Sequence, residues 1–377
     1  MSMLRFEIWG SLPDCDTINK LTSEELVQKV LFCLRKQTRL LEELAEELGA
    51  DNEAIGSILK QLQHHRLVSH RPEGWLAEIG IFSQEDIRIA QELGRRYGAL
   101  EATILADAAS GVRDAYDKCS VAATFPWNSV ATIIVGGIIS DICVLDRVPF
   151  RKPFLNDLLL PPLHADGSRW DYVGYELTGD RIYPNLKRSY YHNVQKDSRG
   201  GFARWGCFGE ARPRPRQPEV LMFSAGALDA LSQLVPTSAP QQKDLKHNQF
   251  GLAPADRLQA VLGDCTPPAV VIEDGQSHLA FPMFEQDDLA SLLSIGDQVA
   301  EVIHTSVTLP YLHERMKASE KLGLSTILPG GVLAREFALQ RLAEDGIVPP
   351  PSRAPVQWNT GVWGWFGPLQ MWEEVSA

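Results

Sequence analysis

Residues 21–79 carry the pattern that most constrains the fold of this chain. Apolar residues recur at three- and four-residue spacing over 26–34, 40–48 and 55–62, which predicts three short helices with one buried face each. Two short stretches, 66–70 and 75–79, then read as strands. The pattern predicts three helices followed by a hairpin.

The residues between these segments support the same boundaries. We expect Thr22 or Ser23 to cap the first helix and Asp51 to cap the third, because their side-chain oxygens accept from free backbone N–H groups. Gly49 is expected to end the second helix, and the stretch 71–74, Arg-Pro-Glu-Gly, reads as the hairpin turn.

The segment LLEELAEELGADNEAIGSILKQLQHHRLVSHRPEGW, residues 40–75, resembles the helix-turn-helix and wing of ArsR-like bacterial regulators. The resemblance covers about sixty of 377 residues. It implies a winged helix-turn-helix whose helix 52–65 enters the major groove of DNA, with the 71–74 wing near the phosphates. It assigns base or phosphate contacts to four residues and phosphate contacts to two more. The first set is Ser57, Lys60, Gln61 and His64; the second is Arg66 and Arg71.

The acidic charge of this part of the chain counts against DNA binding. Residues 1–110 hold 12 Lys and Arg against 18 Asp and Glu, and the third helix begins Asp51-Asn52-Glu53. Because phosphate neutralisation supplies most non-specific affinity, an acidic module binds DNA only where its cations share one face. The alternative is a winged helix used for dimerisation or for gripping a peptide, since a fold does not settle function.

The bulk composition indicates a globular protein without a targeting segment. The apolar share is 44% and the formal net charge is −12, which favours a cytoplasmic protein. We expect no signal peptide, and the apolar run 131–145 is broken by Gly136, Gly137 and Asp141, so no membrane span is expected. None of the six cysteines has CxxC spacing, which indicates reduced thiols rather than disulfides or a zinc ribbon.

Outside residues 21–79 the pattern predicts alternating helices and strands. We expect a strand at 4–9, a loop over 10–18, and two helices, 83–97 and 100–119, that link the winged helix to the rest or form a dimer interface. Residues 125–150 fit a buried strand or a small-residue helix, and periodicity alone leaves both open. Further strands are expected at 170–177, and at 269–273 and 279–284 as a hairpin. Helices are expected at 286–306, 312–322 and 332–342.

A basic, aromatic section is the candidate ligand site. Residues 147–216 hold 13 Lys and Arg against 7 Asp and Glu, interleaved with aromatic residues. Such a surface fits an anionic or aromatic ligand, or else a sheet with aromatic cross-strand pairs and a solvated basic edge. The candidate residues are Arg188, Tyr190, Tyr191, His192, Arg199, Arg204 and Trp205.

The sequence contains no catalytic or metal-binding signature. GxSxG and HExxH are absent, and Gly136-Gly137 lacks the surroundings of a nucleotide loop. His304 and His313 do not share a helical face, so we expect core or surface histidines and no metal site. A Cys207–His192 nucleophile pair has no supporting signature. No cofactor is indicated.

These observations predict an α+β protein: a winged helix-turn-helix over 1–80, linking or dimerisation helices over 81–120, and a large mixed α/β domain over 121–377 with a further boundary near 212–218. The expected function is a one-component transcriptional regulator that binds DNA as a homodimer and senses a small-molecule ligand. The alternative is an enzyme or biosynthetic partner protein that uses the winged helix for dimerisation or peptide binding, with the basic, aromatic section as its ligand site.

Overall fold

The structure is a computed structural model. It describes residues 3–10, 15–147, 170–176, 193–196, 200–204, 270–273, 276–279, 282–331, 333–348 and 362–366. In this part of the chain helices and strands are mixed, as the expected α+β class requires.

Nine α-helices lie in the described residues. They are α1 (Cys15–Thr22), α2 (Glu25–Cys33), α3 (Leu41–Leu48), α4 (Asn52–His64), α5 (Gln84–Tyr116), α6 (Trp127–Thr132), α7 (Gln286–Ile303), α8 (Leu309–Lys321) and α9 (Leu333–Glu344). A 3₁₀ turn covers Ser120–Ala123. Helix α6 continues in wider π-type turns over Ile133–Arg147, and a second π-type segment, His304–Thr308, joins α7 to α8.

Eleven strands lie in the same residues. They are β1 (Leu4–Gly10), β2 (Val68–Arg71), β3 (Gly74–Ala77), β4 (Ile81–Phe82), β5 (Trp170–Glu176), β6 (Asn193–Lys196), β7 (Gly200–Arg204), β8 (Val270–Glu273), β9 (Gln276–Leu279), β10 (Met283–Phe284) and β11 (Val362–Phe366). The expected hairpin after residue 269 is present as β8 and β9, but its second strand begins at Gln276 rather than Leu279.

The strands form four sheets. One has the order β1-β5-β4, with β1 antiparallel and β4 parallel to β5. The second has the order β10-β11-β7-β6. The hairpins β2–β3 and β8–β9 are two-stranded. The strand expected at the amino terminus therefore does join a sheet, and its neighbour lies more than 160 residues later, with Leu4 opposite Glu176.

The chain divides into two compact units that interleave along the sequence. The first contains β1 to β5, α1 to α4, α8, the residues of α5 up to Glu101 and the residues of α9 up to Ala338. The second contains the remaining described elements. The sequence led us to expect consecutive segments instead, and the boundaries at 80 and 120 stay predictions.

The core of the first unit is built on α2, α3 and α4. Val27, Leu31, Leu44, Ile55 and Leu59 are completely buried in it. The same cluster includes residues from outside the three helices, namely Leu4, Ile18, Leu21, Trp170 and Tyr172. The Tyr172 hydroxyl hydrogen-bonds the Thr22 hydroxyl at 2.6 Å. The three-helix segment therefore shares one core with β1, α1 and β5.

Two expectations near the amino terminus are wrong. The loop expected over 10–18 is partly helical, since α1 begins at Cys15. Thr22 and Ser23 do not cap α2, because their hydroxyls donate to the carbonyls of Ile18 (2.9 Å) and Lys20 (2.6 Å) at the end of α1. The N-cap of α2 is Glu24, which makes no capping hydrogen bond with its side chain.

The two helices expected over 83–119 are one helix, α5. The helix continues through Gly98, and this glycine lets α9 approach closely. A Cβ atom at Gly98 would lie 2.5 Å from the carbonyl oxygen of Ala334. Gly98 is thus a close packing contact between α5 and α9.

A buried carboxylate fixes the start of α5. Asp86 is fully buried, and its Oδ2 accepts from the backbone N–H and the hydroxyl of Ser83 at 2.8 and 2.7 Å. Its Oδ1 lies 3.4 Å from Nζ of Lys36, in the loop between α2 and α3. The backbone N–H of Gln84 donates to Glu176 at the end of β5, at 3.0 Å. These contacts tie α5 to both the helical and the sheet parts of the first unit.

The described part of the ambiguous stretch 125–150 is helical from Trp127 to Arg147 and belongs to the second unit. Trp127–Val144 is, within the described residues, the one helical stretch long and apolar enough to cross a membrane, although the breaks at Gly136, Gly137 and Asp141 led us to expect none. However, 89% of it is buried inside the protein, as in the core helix of a soluble protein. It packs on α7, where a Cβ atom at Gly296 would lie 2.5 Å from Sγ of Cys143.

Candidate nucleic-acid interface

Helix α4 separates a buried face from an exposed polar face. Asp51 caps the helix, and its Oδ1 accepts from the backbone N–H of Ala54 at 2.6 Å. The buried face consists of Ile55, Ile58, Leu59 and Leu62. The caps expected at Asp51 and Gly49 are both confirmed, since Gly49 ends α3 in a left-handed conformation.

The residues expected to contact DNA from α4 are all exposed. They are Ser57, Lys60, Gln61 and His64, and their spacing places them on one face of the helix. The side-chain amide of Gln61 donates to the Ser57 hydroxyl at 3.5 Å. Arg66 and Arg71, which follow the helix, are exposed as well. We call these six residues the α4 surface.

Arg39, in the segment before α3, joins the β2–β3 hairpin to the helices. The backbone of Trp75 exchanges two hydrogen bonds with that of Arg39, at 2.8 and 2.9 Å, so the segment before α3 adds to the hairpin. A Cβ atom at Gly74 would lie 2.4 Å from the Arg39 carbonyl oxygen, and Gly74 has a φ of +131°. Glycine is therefore required where the hairpin meets the helices.

One cation of the α4 surface already has an anionic partner. Arg71 pairs with Glu78 at 3.1 Å, and the hydroxyl of Ser69 donates to the same carboxylate. Both members of the ion pair are about half exposed, so the pair contributes little to stability. It does reduce the positive charge that Arg71 presents to an anion.

The surroundings of the α4 surface are acidic. Residues 41–78 hold eight carboxylates against three cations, a net charge of −5 with neutral histidines. All eight acidic residues are exposed. Four of them, Glu42, Glu43, Glu46 and Glu47, lie on α3. This arrangement would weaken attraction to a polyanion over most of the segment.

The expected ligand site lies almost entirely outside the described residues. Arg188, Tyr190, Tyr191, His192, Arg199 and Trp205 are in this group, and so is Cys207. Arg204 ends β7, where its backbone lies opposite Asn193 and Val362 in the neighbouring strands. The site therefore stays a prediction.

The two histidines considered as ligands differ in position. His304 is buried in the π-type segment between α7 and α8, and His313 is exposed on α8. The described residues contain no group of three or more His, Cys, Asp or Glu side chains that could hold a metal ion.

Sequence reasoning missed several buried charges. In the first unit these are Asp86, Glu101, Arg315, Arg335 and Glu336. Arg315 donates from Nε to the carbonyl of Leu328 at 2.9 Å. Burial and the nearby carboxylate of Glu101 raise the pKa of Tyr311 to about 12. No pattern in the sequence indicates the burial of these five side chains.

Comparison with known proteins adds no assignment. The chain matches no family model, no curated protein and no solved structure.

Proposed function

We propose that residues 25–77 form a winged helix-turn-helix that binds DNA, and that the chain is a one-component transcriptional regulator. The order α2, Arg39 bridge, α3, α4, β2, β3 supports this proposal, because a helical pair followed by a hairpin places one helix in the major groove and the hairpin near a phosphate strand. The observation that carries it is the exposed polar face of α4.

In this proposal each part of the α4 surface has a role. Ser57, Lys60 and Gln61 offer hydroxyl, ammonium and amide groups, which are donors and acceptors that read base edges. Arg66 and Arg71 flank the helix and would contact phosphates. The remainder of the chain would sense a small-molecule ligand, with the basic, aromatic section as its site.

Two further parts of the proposal concern assembly and location. The regulator would act as a homodimer in the cytoplasm. Ligand binding would shift the dimer between spacings that fit or miss two half-sites.

The three cations of the α4 surface and the acidic residues around them determine how DNA binding should depend on salt. The logarithm of the binding constant changes by about −0.9 per neutralised phosphate for each unit of log salt. Three cations on the α4 surface therefore allow a slope of about −3 per bound protomer. Non-specific affinity should be weak, and specificity should rest on contacts with bases.

Fluorescence anisotropy of the full chain with labelled DNA from upstream of its own gene tests the proposal. The titration is repeated across a salt series and with unrelated DNA of equal length. The double variant Lys60→Ala and Gln61→Ala should lose preference for the upstream DNA. Lys29→Ala is the matched control, because Lys29 is on α2 and pairs with Glu25 at 2.7 Å. No binding by the wild-type chain at low salt would overturn the proposal.

The acidic face of α3 favours a second candidate, in which the same module binds a protein or peptide. Four exposed glutamates on one short helix would attract a basic segment and repel DNA. The chain would then be an enzyme or a biosynthetic partner protein that uses the module for dimerisation or peptide binding. Binding of a lysine-rich peptide, lost in Glu42→Gln with Glu46→Gln, together with no DNA binding, would favour this alternative.

A further inference from the structure

Four helices in the described part of the chain end in the same way. In each, a residue two or three positions past the helix donates its backbone N–H to the carbonyl five residues earlier, and the residue before it has positive φ. The pairs are Ala50 to Ala45 (3.0 Å), Leu67 to Leu62 (2.9 Å), Leu324 to Ser319 (2.9 Å) and Ile347 to Leu342 (3.0 Å). This is the hydrogen-bond pattern of a Schellman C-cap.

The left-handed residue differs at one of the four ends. Gly49, Gly323 and Gly346 occupy it after α3, α8 and α9, with φ of 63°, 67° and 70°. Arg66 occupies it after α4, with φ of 59°, and it is the one non-glycine residue with positive φ in the described part of the chain. A Cβ atom in this conformation crowds the following carbonyl, so arginine costs stability where glycine would not.

The position of Arg66 connects this cost to the α4 surface. Arg66 is exposed and stands between the end of α4 and the start of β2. The other two cations in residues 41–78 are Lys60 on α4 and Arg71 at the end of β2. Backbone strain that persists in a fold is found mostly where a site requires it.

We infer that Arg66 is a phosphate-binding residue of the α4 surface, and that the chain gives up backbone stability to keep a guanidinium there. Glycine would supply the same C-cap without strain, so the side chain is what arginine adds. A guanidinium binds two phosphate oxygens at once through parallel N–H groups. This inference rests on the proposed DNA binding.

The variant Arg66→Gly tests both halves of the inference in the full chain. We expect its urea unfolding midpoint to be above that of the wild type. Its DNA affinity should fall roughly 10- to 100-fold, the range for one charged hydrogen-bonded contact. The fall should be similar on upstream and unrelated DNA, and the salt slope should lessen by about 1. Lys20→Ala, which removes an exposed cation of α1, is the control and should bind as the wild type does.

The outcomes separate this inference from the proposed function. If the wild type binds DNA and Arg66→Gly binds equally well with the same salt slope, the inference is wrong and the DNA-binding proposal stands. An equal or lower unfolding midpoint for Arg66→Gly would show that the arginine costs no stability at the C-cap, which also overturns the inference. If the wild type binds no DNA at any salt concentration, both proposals are wrong.

Discussion

Replacing Asp86 with alanine would test whether the buried carboxylate holds the start of α5 to the first unit. Its Oδ2 accepts two hydrogen bonds from Ser83, and its Oδ1 faces Lys36 at 3.4 Å. The side chain of Asp86 is fully buried, whereas that of Lys36 is 32% exposed. The two members of this ion pair therefore differ in what their removal leaves behind.

The expected loss follows from these contacts. Breaking a fully buried ion pair costs about 3–5 kcal/mol, because the remaining charge is stranded. Removal of Asp86 leaves Lys36 partly solvated, so the low end applies, about 3 kcal/mol for Asp86→Ala. That amount includes the two hydrogen bonds from Ser83, each worth about 1.5–3 kcal/mol with a charged acceptor. Lys36→Met removes one long hydrogen bond to the carboxylate, at 3.4 Å, and should cost less, about 1.5 kcal/mol, since the carboxylate keeps both hydrogen bonds from Ser83.

Two measurements on the full chain check this order. Urea unfolding gives the change in midpoint, and hydrogen exchange reports on the amides of Ile87–Leu93 in the first turns of α5. A loss of 3 kcal/mol corresponds to exchange about 150-fold faster where opening limits protection. Glu85→Ala is the matched control, because Glu85 pairs with Arg88 on the solvent side of the same turn at 2.6 Å; it should leave exchange unchanged.

Two results would refute the reasoning. If Asp86→Ala exchanges no faster than Glu85→Ala, the buried carboxylate does not hold the start of α5. If Lys36→Met costs more than Asp86→Ala, the ion pair rather than the hydrogen bonds from Ser83 supplies most of the stabilisation.

Three further predictions follow from single contacts. Gly98→Ala should destabilise the chain by about 2 kcal/mol through overpacking. Gly111→Ala on the same helix should stabilise it by up to about 1 kcal/mol, because no atom lies within 4 Å of the added Cβ. Equal urea midpoints for the two variants would contradict both expectations. Burial is the main cause that raises the pKa of the Cys33 thiol from 9.0 to about 11. Alkylation of Cys33 at pH 8, measured by mass spectrometry, should therefore be about 100-fold slower than alkylation of an ordinary thiol. The stability that the neutral thiol contributes to the fold is fully present below pH 9 and is lost as the pH rises through 11. Rapid alkylation of Cys33 at pH 8 would show that the thiol is not buried. Glu78→Gln should tighten DNA binding by releasing Arg71, and unchanged anisotropy curves would show that Arg71 does not face phosphates.

The local elements of the first unit could be predicted because their signals are local. The spacing of apolar residues located α2, α3 and α4, and the short-range chemistry of Gly49 and Asp51 located two of their ends. The hairpin turn was equally readable from Pro72 to Gly74. Each of these signals acts within a few residues, so the sequence alone is sufficient.

The candidate site could be predicted only in its positions, not in its electrostatics. Helical spacing placed Ser57, Lys60, Gln61 and His64 on one face, and all four are exposed. The pairing of Arg71 with Glu78 and the left-handed conformation of Arg66 depend on the folded backbone. A sequence therefore indicates which side chains share a surface, but not which charges are neutralised there.

By itself, the sequence determined the order and faces of the short helices, because each depends on neighbours three or four residues away. Only the tertiary structure decided that β1 pairs with β5, that α5 continues through Gly98, and that Asp86 is buried against Lys36. In each case the deciding contact comes from a residue far away in the chain. Periodicity carries no information about such a partner, and only packing in three dimensions supplies it.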